Sequence, residues 1–174
     1  VFLVWKHVQG DDDRWLYSPG LDLVNRIAGT DKRTSFVGTH FFYEDVSGRR
    51  ITDDEHELVK VTTNYFVLKN TPKDKDQVEF SYYEMWIHRG TFMPLHAYYY
   101  DKGGRKYREY HVTKMDRIDG FWTVLAAEMQ DLREHGDRPA RTVAEYADVQ
   151  YGIDLPESIF TERYLRMPPR EYLQ

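Results

Sequence analysis

Cysteine is absent from the 174 residues, which removes disulfides, thiolate nucleophiles and cysteine-based zinc sites together. The redox compartment stays open, because a chain without cysteine is at home in either setting. Long apolar runs are missing as well. The longest, Phe121 to Ala127, falls far short of the ~18 apolar residues of a spanning helix, so no membrane span is expected. Surplus positive charge is also lacking: 24 Lys and Arg stand against 29 Asp and Glu, a net −5. That balance argues against a general grip on phosphate backbones, and no nucleic-acid partner is expected. Catalytic signatures are scarce. There is no G-x-S-x-G nucleophile elbow, no Walker A loop and no G-x-G-x-x-G, and Gly103-Gly104-Arg105-Lys106 does not fit a phosphate cradle. No enzyme activity and no cofactor are expected.

What is abundant is aromatic: 14 Tyr, 9 Phe and 4 Trp make 16% of the chain. Such residues favour pleated, half-buried surfaces. Strand and turn signals agree with that bias. Runs rich in β-branched and aromatic residues, such as Val1–Gln9 and His56–Lys69, end at turn clusters. From Val78 onward, turns recur near Arg89-Gly90, Gly103-Gly104, Asp119-Gly120 and His135-Gly136, the meander pattern of an antiparallel sheet or barrel. Helix is limited to short pieces, one around Phe41–Val46 and another after Pro156. The chain starts inside a strand at Val1, without Met and without an export signal. A removed signal peptide and a missing N-terminal part are both compatible with that start.

Two-residue turns at Gly103-Gly104 and Asp119-Gly120 fix a register. Lys102 then faces Arg105, Tyr99 faces Arg108, Ala97 faces Tyr110, and Leu95 faces Val112. On the next hairpin Ile118 faces Phe121, Lys114 faces Leu125, Val112 faces Ala127, and Tyr110 faces Met129. Cross-strand partners share a face. One face therefore collects Leu95, Tyr99, Tyr110, Val112, Phe121, Leu125 and Met129, and an odd-sum register at Arg89-Gly90 adds Trp86. An apolar face too wide for the few helices implies a ligand, a partner or further chain.

The other face aligns His96, His111 and Glu128 in a row. Two imidazoles and a carboxylate form a known zinc ligand set, but three strands at ~4.8 Å spacing hold the end members too far apart for easy chelation. A solvated sheet face accounts for the row better, and no metal is expected. Asp11-Asp12-Asp13 reads as a tight turn, since the rest of an EF-hand loop is missing.

Several segments together resemble the LolA-like family of periplasmic outer-membrane lipoprotein-sorting proteins. They are Trp15-Leu16-Tyr17-Ser18-Pro19 with Val24-Asn25-Arg26-Ile27; Ser35-Phe36-Val37-Gly38-Thr39-His40-Phe41-Phe42-Tyr43-Glu44-Asp45; and Pro94-Leu95 through Ile118-Asp119-Gly120-Phe121-Trp122. Arg141-Thr142-Val143 and Phe160 to Leu165 close the match. The second segment is similar to the S-F-x-G-[ST]-D-F-x-Y-E-D signature of one branch, with His40 where that branch carries Asp.

The resemblance implies a mainly β, LolA/LppX-like fold: an incomplete, half-open antiparallel β-barrel meander with few short helices, lacking the N-terminal part that members carry. It implies one half-barrel domain over residues 1–165 and a tail over 166–174. The expected function is that of a non-enzymatic periplasmic carrier for a lipid or a lipoprotein acyl chain, with an outer-membrane acceptor downstream. The alternative is an interaction module that works with an RND-type exporter and carries no cargo. Trp15, Tyr17, Phe36 and Phe41 join the sheet residues above as candidates for lining the apolar site.

Overall fold

Strands dominate because β-branched and aromatic residues recur between Gly-, Pro- and Asp-containing turns. The computed structural model of the protein describes residues 1–133 and 140–169. In chain order the strands are β1 (Phe2–Trp5), β2 (Asp13–Ser18), β3 (Leu23–Ile27), β4 (Asp54–Val61), β5 (Tyr65–Pro72), β6 (Phe80–His88), β7 (Pro94–Asp101), β8 (Lys106–Ile118), β9 (Phe121–Asp131) and β10 (Ala140–Glu145). Two short helices join them, α1 (Tyr43–Ser47) and α2 (Glu162–Arg166). The turn expected at His135-Gly136 and the tail from Arg170 on lie outside the described residues.

The chain divides into two compact units, Val1–Thr34 with the described residues from Gly152 on, and Ser35–Tyr151. In the first, β1, β2 and β3 form an antiparallel sheet against which α2 packs. Leu165 of α2 is buried at its centre. The Asp11–Asp13 turn resolves into ion pairs. Asp12 is buried and accepts from Lys6 Nζ at 2.8 Å and Arg14 Nη2 at 2.9 Å, while Asp13 pairs with His7 at 2.8 Å and with Arg26.

The second unit is a seven-stranded antiparallel sheet in the order β10-β9-β8-β7-β6-β5-β4. It is an incomplete barrel whose rims are β10 and β4. Its apolar centre joins Val78, Phe80, Tyr83 and Tyr107, with Met85 and Tyr99 packed against them.

The β8–β9 hairpin has the expected tip. Ile118 faces Phe121 across Asp119 and Gly120, at φ 51° and 87°, as a two-residue turn with two positive φ values requires. Three expected pairings change. The β7–β8 loop has three residues rather than two, because Asp101 N donates to Arg105 O at 2.9 Å and Gly104 occupies φ 77°; Lys102 therefore does not face Arg105. Such a loop places its glycine in the left-handed region after a tight turn. Register shifts around Lys114 pair it with Ala126 instead of Leu125. The β6–β7 turn has the expected odd-sum register, Ile87 opposite Pro94, but a register shift between Trp86 and Ile87 puts Trp86 opposite His96. Trp86 thus lies on the His96 face and not on the face of Tyr99. His56–Lys69, which reads as one run, is a hairpin folded at Thr62–Asn64.

Candidate functional site

Three cross-strand rows build one face of the seven-stranded sheet. The first runs Asn70, Tyr83, Tyr99, Arg108, Asp131, Ala140. The second runs Leu68, Met85, Ala97, Tyr110, Met129, Thr142. The third joins Phe66 to Ile87 on one side and Val112 to Ala127 and Ala144 on the other. Leu95 and Leu125 are the extra residues at two register shifts and pair with neither row. Polarity drains away from the first row to the third.

The first row is closed by the protein's own chain. Ser35–Phe42 form a short bridged turn in which Val37 and Gly38 sit at φ 51° and 76°. A Cβ at Gly38 would meet nothing within 4 Å, so its glycine serves backbone conformation and not close approach. The turn leads into α1, where Asp45 accepts from the Phe42 backbone N–H at 2.6 Å. Asp45 also pairs with Arg108, a side chain only 1% exposed, whose guanidinium donates to the His40 carbonyl at 2.8 Å. The same guanidinium lies 3.9 Å from the Phe42 ring centroid and 5.3 Å from that of Tyr99. His40 meets Thr142, Nδ1 to Oγ1, at 2.9 Å. Where the signature has Asp, His40 thus works through its carbonyl and ring nitrogen.

A second buried network stands beside the first. Asp54 accepts two bonds from Arg49, at 2.8 and 2.7 Å, and one from Tyr83 Oη at 2.9 Å. Burial and the Asp54 charge push the Tyr83 phenol well above its ordinary value, so it stays a donor. These groups fix the floor under the signature segment.

Beyond them the face opens. Phe41 packs edge-on against Tyr110, with centroids 6.5 Å apart, and Phe36 against Tyr43 at 5.3 Å. Burial, then Tyr146 and Asp45, push the Tyr110 phenol up to about 12, so it remains neutral at the inner end of the open area. Past Tyr110 lie Phe66, Leu68, Met85, Ile87 and Val112, all partly solvent-exposed. The arrangement is an apolar floor with a polar, hydrogen-bonded end wall.

The candidate residues separate accordingly. Tyr99, Tyr110, Val112 and Met129 share the face, with Met129 fully buried and Tyr99 built into the closed end, while Leu95 and Leu125 stand at register shifts. Phe36 and Phe41 belong to the segment that covers it. Phe121 lies at the β8–β9 tip, 57% exposed, with Tyr151 tilted against it at 4.8 Å. Trp86 is on the opposite face. Trp15 and Tyr17 lie on β2 of the three-stranded unit, where the Tyr17 hydroxyl donates to Asp22 at 3.2 Å. That unit also holds an apolar cleft of about 190 Å³ between Phe2, Leu3, Tyr164 and Pro168.

The His96–His111–Glu128 row forms in the expected register. Its chemistry is not that of a ligand set. The two imidazoles face each other Nδ1 to Nδ1 at 2.8 Å, and Glu128 is turned to Arg141 at 3.1 Å and Gln130 at 2.6 Å. Among the described residues no three His, Asp or Glu side chains group as metal ligands.

The open floor residues Phe66, Leu68, Met85 and Ile87 escape a reading based on the β7–β9 hairpins alone. The register shift between Trp86 and Ile87 puts Met85 opposite Ala97, and Ile87 joins through its pairing with Phe66. Buried Arg108 carries no sequence signal beyond its place opposite Tyr99.

A family model described as "Uncharacterized protein" matches residues 1–167. No curated protein matches the chain. Among solved structures, the chain is similar to a DUF1329 family protein from Desulfovibrio piger, with 27% identity and a TM-score of 0.79 over 94% of this chain and 70% of that one. It is similar to a domain named for outer membrane lipoprotein sorting from Vibrio parahaemolyticus, with 26% identity and a TM-score of 0.79 over 95% and 70% of the two chains. A LolA superfamily protein from Nitrosomonas europaea shares the fold at 23% identity, with a TM-score of 0.62 over 87% and 67%.

Proposed function

The chain belongs to the family whose model spans residues 1–167, and from its sheet and its structural likenesses we propose that it is a non-enzymatic periplasmic carrier for a lipid or the acyl chain of a lipoprotein. The observation that carries this reading is the open apolar floor from Phe66 to Val112, bounded at its inner end by Tyr110 and the Arg108–Asp45 clamp. Burying hydrocarbon contributes ~0.8 kcal/mol per CH₂, so an acyl chain laid across these rows is held without polar recognition. The similarity to a domain named for lipoprotein sorting supports the cargo class. None of the described helices is long and apolar enough to cross a membrane. In this reading the cargo passes to an outer-membrane acceptor.

Native mass spectrometry and lipid extraction of freshly purified protein test the proposal, together with titration of a fluorescent fatty-acyl probe. Co-purifying lipid and saturable probe binding are expected. Val112→Asp, at a partly exposed floor position, should lower probe affinity roughly tenfold, since a buried carboxylate is costly, while leaving cooperative melting in place. A protein that neither retains lipid nor binds the probe is not a carrier.

A further inference from the structure

The buried phenols Tyr83 and Tyr107 hand their hydroxyls to fixed acceptors. Tyr83 donates to Asp54 and Tyr107 to Glu79, each at 2.9 Å, as a phenol taken out of water requires. Tyr110 departs from that pattern. It is half-buried in the second row, between Ala97 and Met129, with its ring fixed edge-on by Phe41. Among the described residues its hydroxyl has no hydrogen-bond partner. A single donor placed at the end of an apolar floor is the kind of group that sets the orientation of a bound molecule.

The charges around Tyr110 decide what that donor can serve. The rows place Arg108 and Asp131 beside it, and the covering segment adds Asp45 and His40. Each is already matched. Arg108 is engaged by Asp45 and the His40 carbonyl, Asp131 by Arg133, and the His40 ring by Thr142. Among these groups no cation is left over for a phosphate or a free carboxylate. The Asp45 charge, which already disfavours a phenolate at Tyr110, disfavours any other anion beside it. An uncharged acceptor suits the place, and on a lipid that is the carbonyl of an ester or an amide. Tyr146, just past β10 and 53% exposed, is the nearby phenol whose charge is also felt at Tyr110. A head group beyond the carbonyl has its way to water there.

We propose that the Tyr110 hydroxyl donates to the acyl carbonyl of the cargo, so that the site selects an uncharged ester- or amide-linked chain. The carbonyl then sits at Tyr110 and the hydrocarbon runs along the floor past Val112 and Ile87. This assignment rests on the carrier reading and adds to it the class of lipid and its direction. Tyr110 is thereby a specificity-determining residue, since the apolar floor alone holds any hydrocarbon equally well.

Displacement of the fluorescent fatty-acyl probe by matched lipids tests this. Palmitoylglycerol carries an ester carbonyl, hexadecylglycerol is the ether without one, and palmitate presents an anion. Wild-type protein should bind the ester roughly fivefold more tightly than the ether, the worth of one net hydrogen bond, and palmitate no better than the ether. Tyr110→Phe keeps the ring that packs on Phe41. It should bring the ester down to the level of the ether while leaving ether binding and cooperative melting unchanged. A residue that only packs would weaken both lipids alike. The wild-type comparison of ester with ether does not depend on any variant folding. Equal binding of the two, a preference that survives Tyr110→Phe, loss of ether binding in that variant, or tighter binding of palmitate overturns the assignment. A protein that binds none of the three fails as a carrier and takes the assignment with it, a result distinct from one that binds ester and ether alike.

Discussion

Arg108 of β8 and Asp45 of α1, far apart in sequence, form the clamp that fastens the signature turn to the sheet. The arginine is almost fully buried and makes a further bond to the His40 carbonyl. Removing one partner of such a pair leaves the other as an uncompensated buried charge. Arg108→Ala is therefore expected to cost ~3–5 kcal/mol, read as a lower urea midpoint at unchanged slope. Arg108→Lys should recover only part of this, since an ammonium cannot reproduce the guanidinium fork. A loss below a kcal/mol would show that the turn is held by its apolar contacts alone.

Exposure separates two phenylalanines that the sequence makes look alike. Phe80 is 0% exposed within the apolar centre of the large sheet, and Phe80→Ala should destabilise by ~3–5 kcal/mol. Phe121 sits at a tip, so Phe121→Ala should change stability by less than about 1 kcal/mol. Thermal melts of the two variants, side by side, check the contrast.

Gly120 occupies φ 87° in the two-residue turn of the projecting hairpin. Gly120→Val places a β-branched side chain in a left-handed backbone and should cost ~1–2 kcal/mol. Loss of the hairpin's amide protection by hydrogen exchange would localise the damage to β8 and β9.

The His96–His111 pair makes stability depend on pH. Burial, then the neighbouring His111, hold the His96 imidazole below its ordinary value of ~6.5. Folded protein thus binds fewer protons here than unfolded chain, so this contribution is complete above the unfolded value and is lost as pH falls through it toward the lowered one. His56 has the opposite sign: bonds to Asn70 and to the Ile51 carbonyl raise it, and its contribution fades as pH rises through the raised value. Denaturation at stepped pH should show a slope on the acid side that His96→Gln flattens and His56→Gln does not.

The sequence announced the meander because turn chemistry is local. Asp119-Gly120 dictates its own geometry, and the pairings of Tyr110 with Met129 and Val112 with Ala127 follow by counting. Counting fails where one residue is added or dropped. The extra residue at Gly104 and the shifts around Lys114 are set by strand twist and by what packs against each side. The shift between Trp86 and Ile87, just inside the turn, sent Trp86 to the far face by the same arithmetic, one residue off. Tertiary chemistry was less legible still. The sequence marks Ser35–Asp45 as a unit, but nothing local says that its carboxylate waits for Arg108.

β4 is a rim of the large sheet, with every residue from Glu55 to Val61 exposed and a register slip between Leu58 and Lys60. An unclosed sheet leaves such a rim with vacant backbone donors and acceptors, onto which a sister molecule could zip. Glu55, Glu57, Lys60 and the slip disfavour that self-templating along β4.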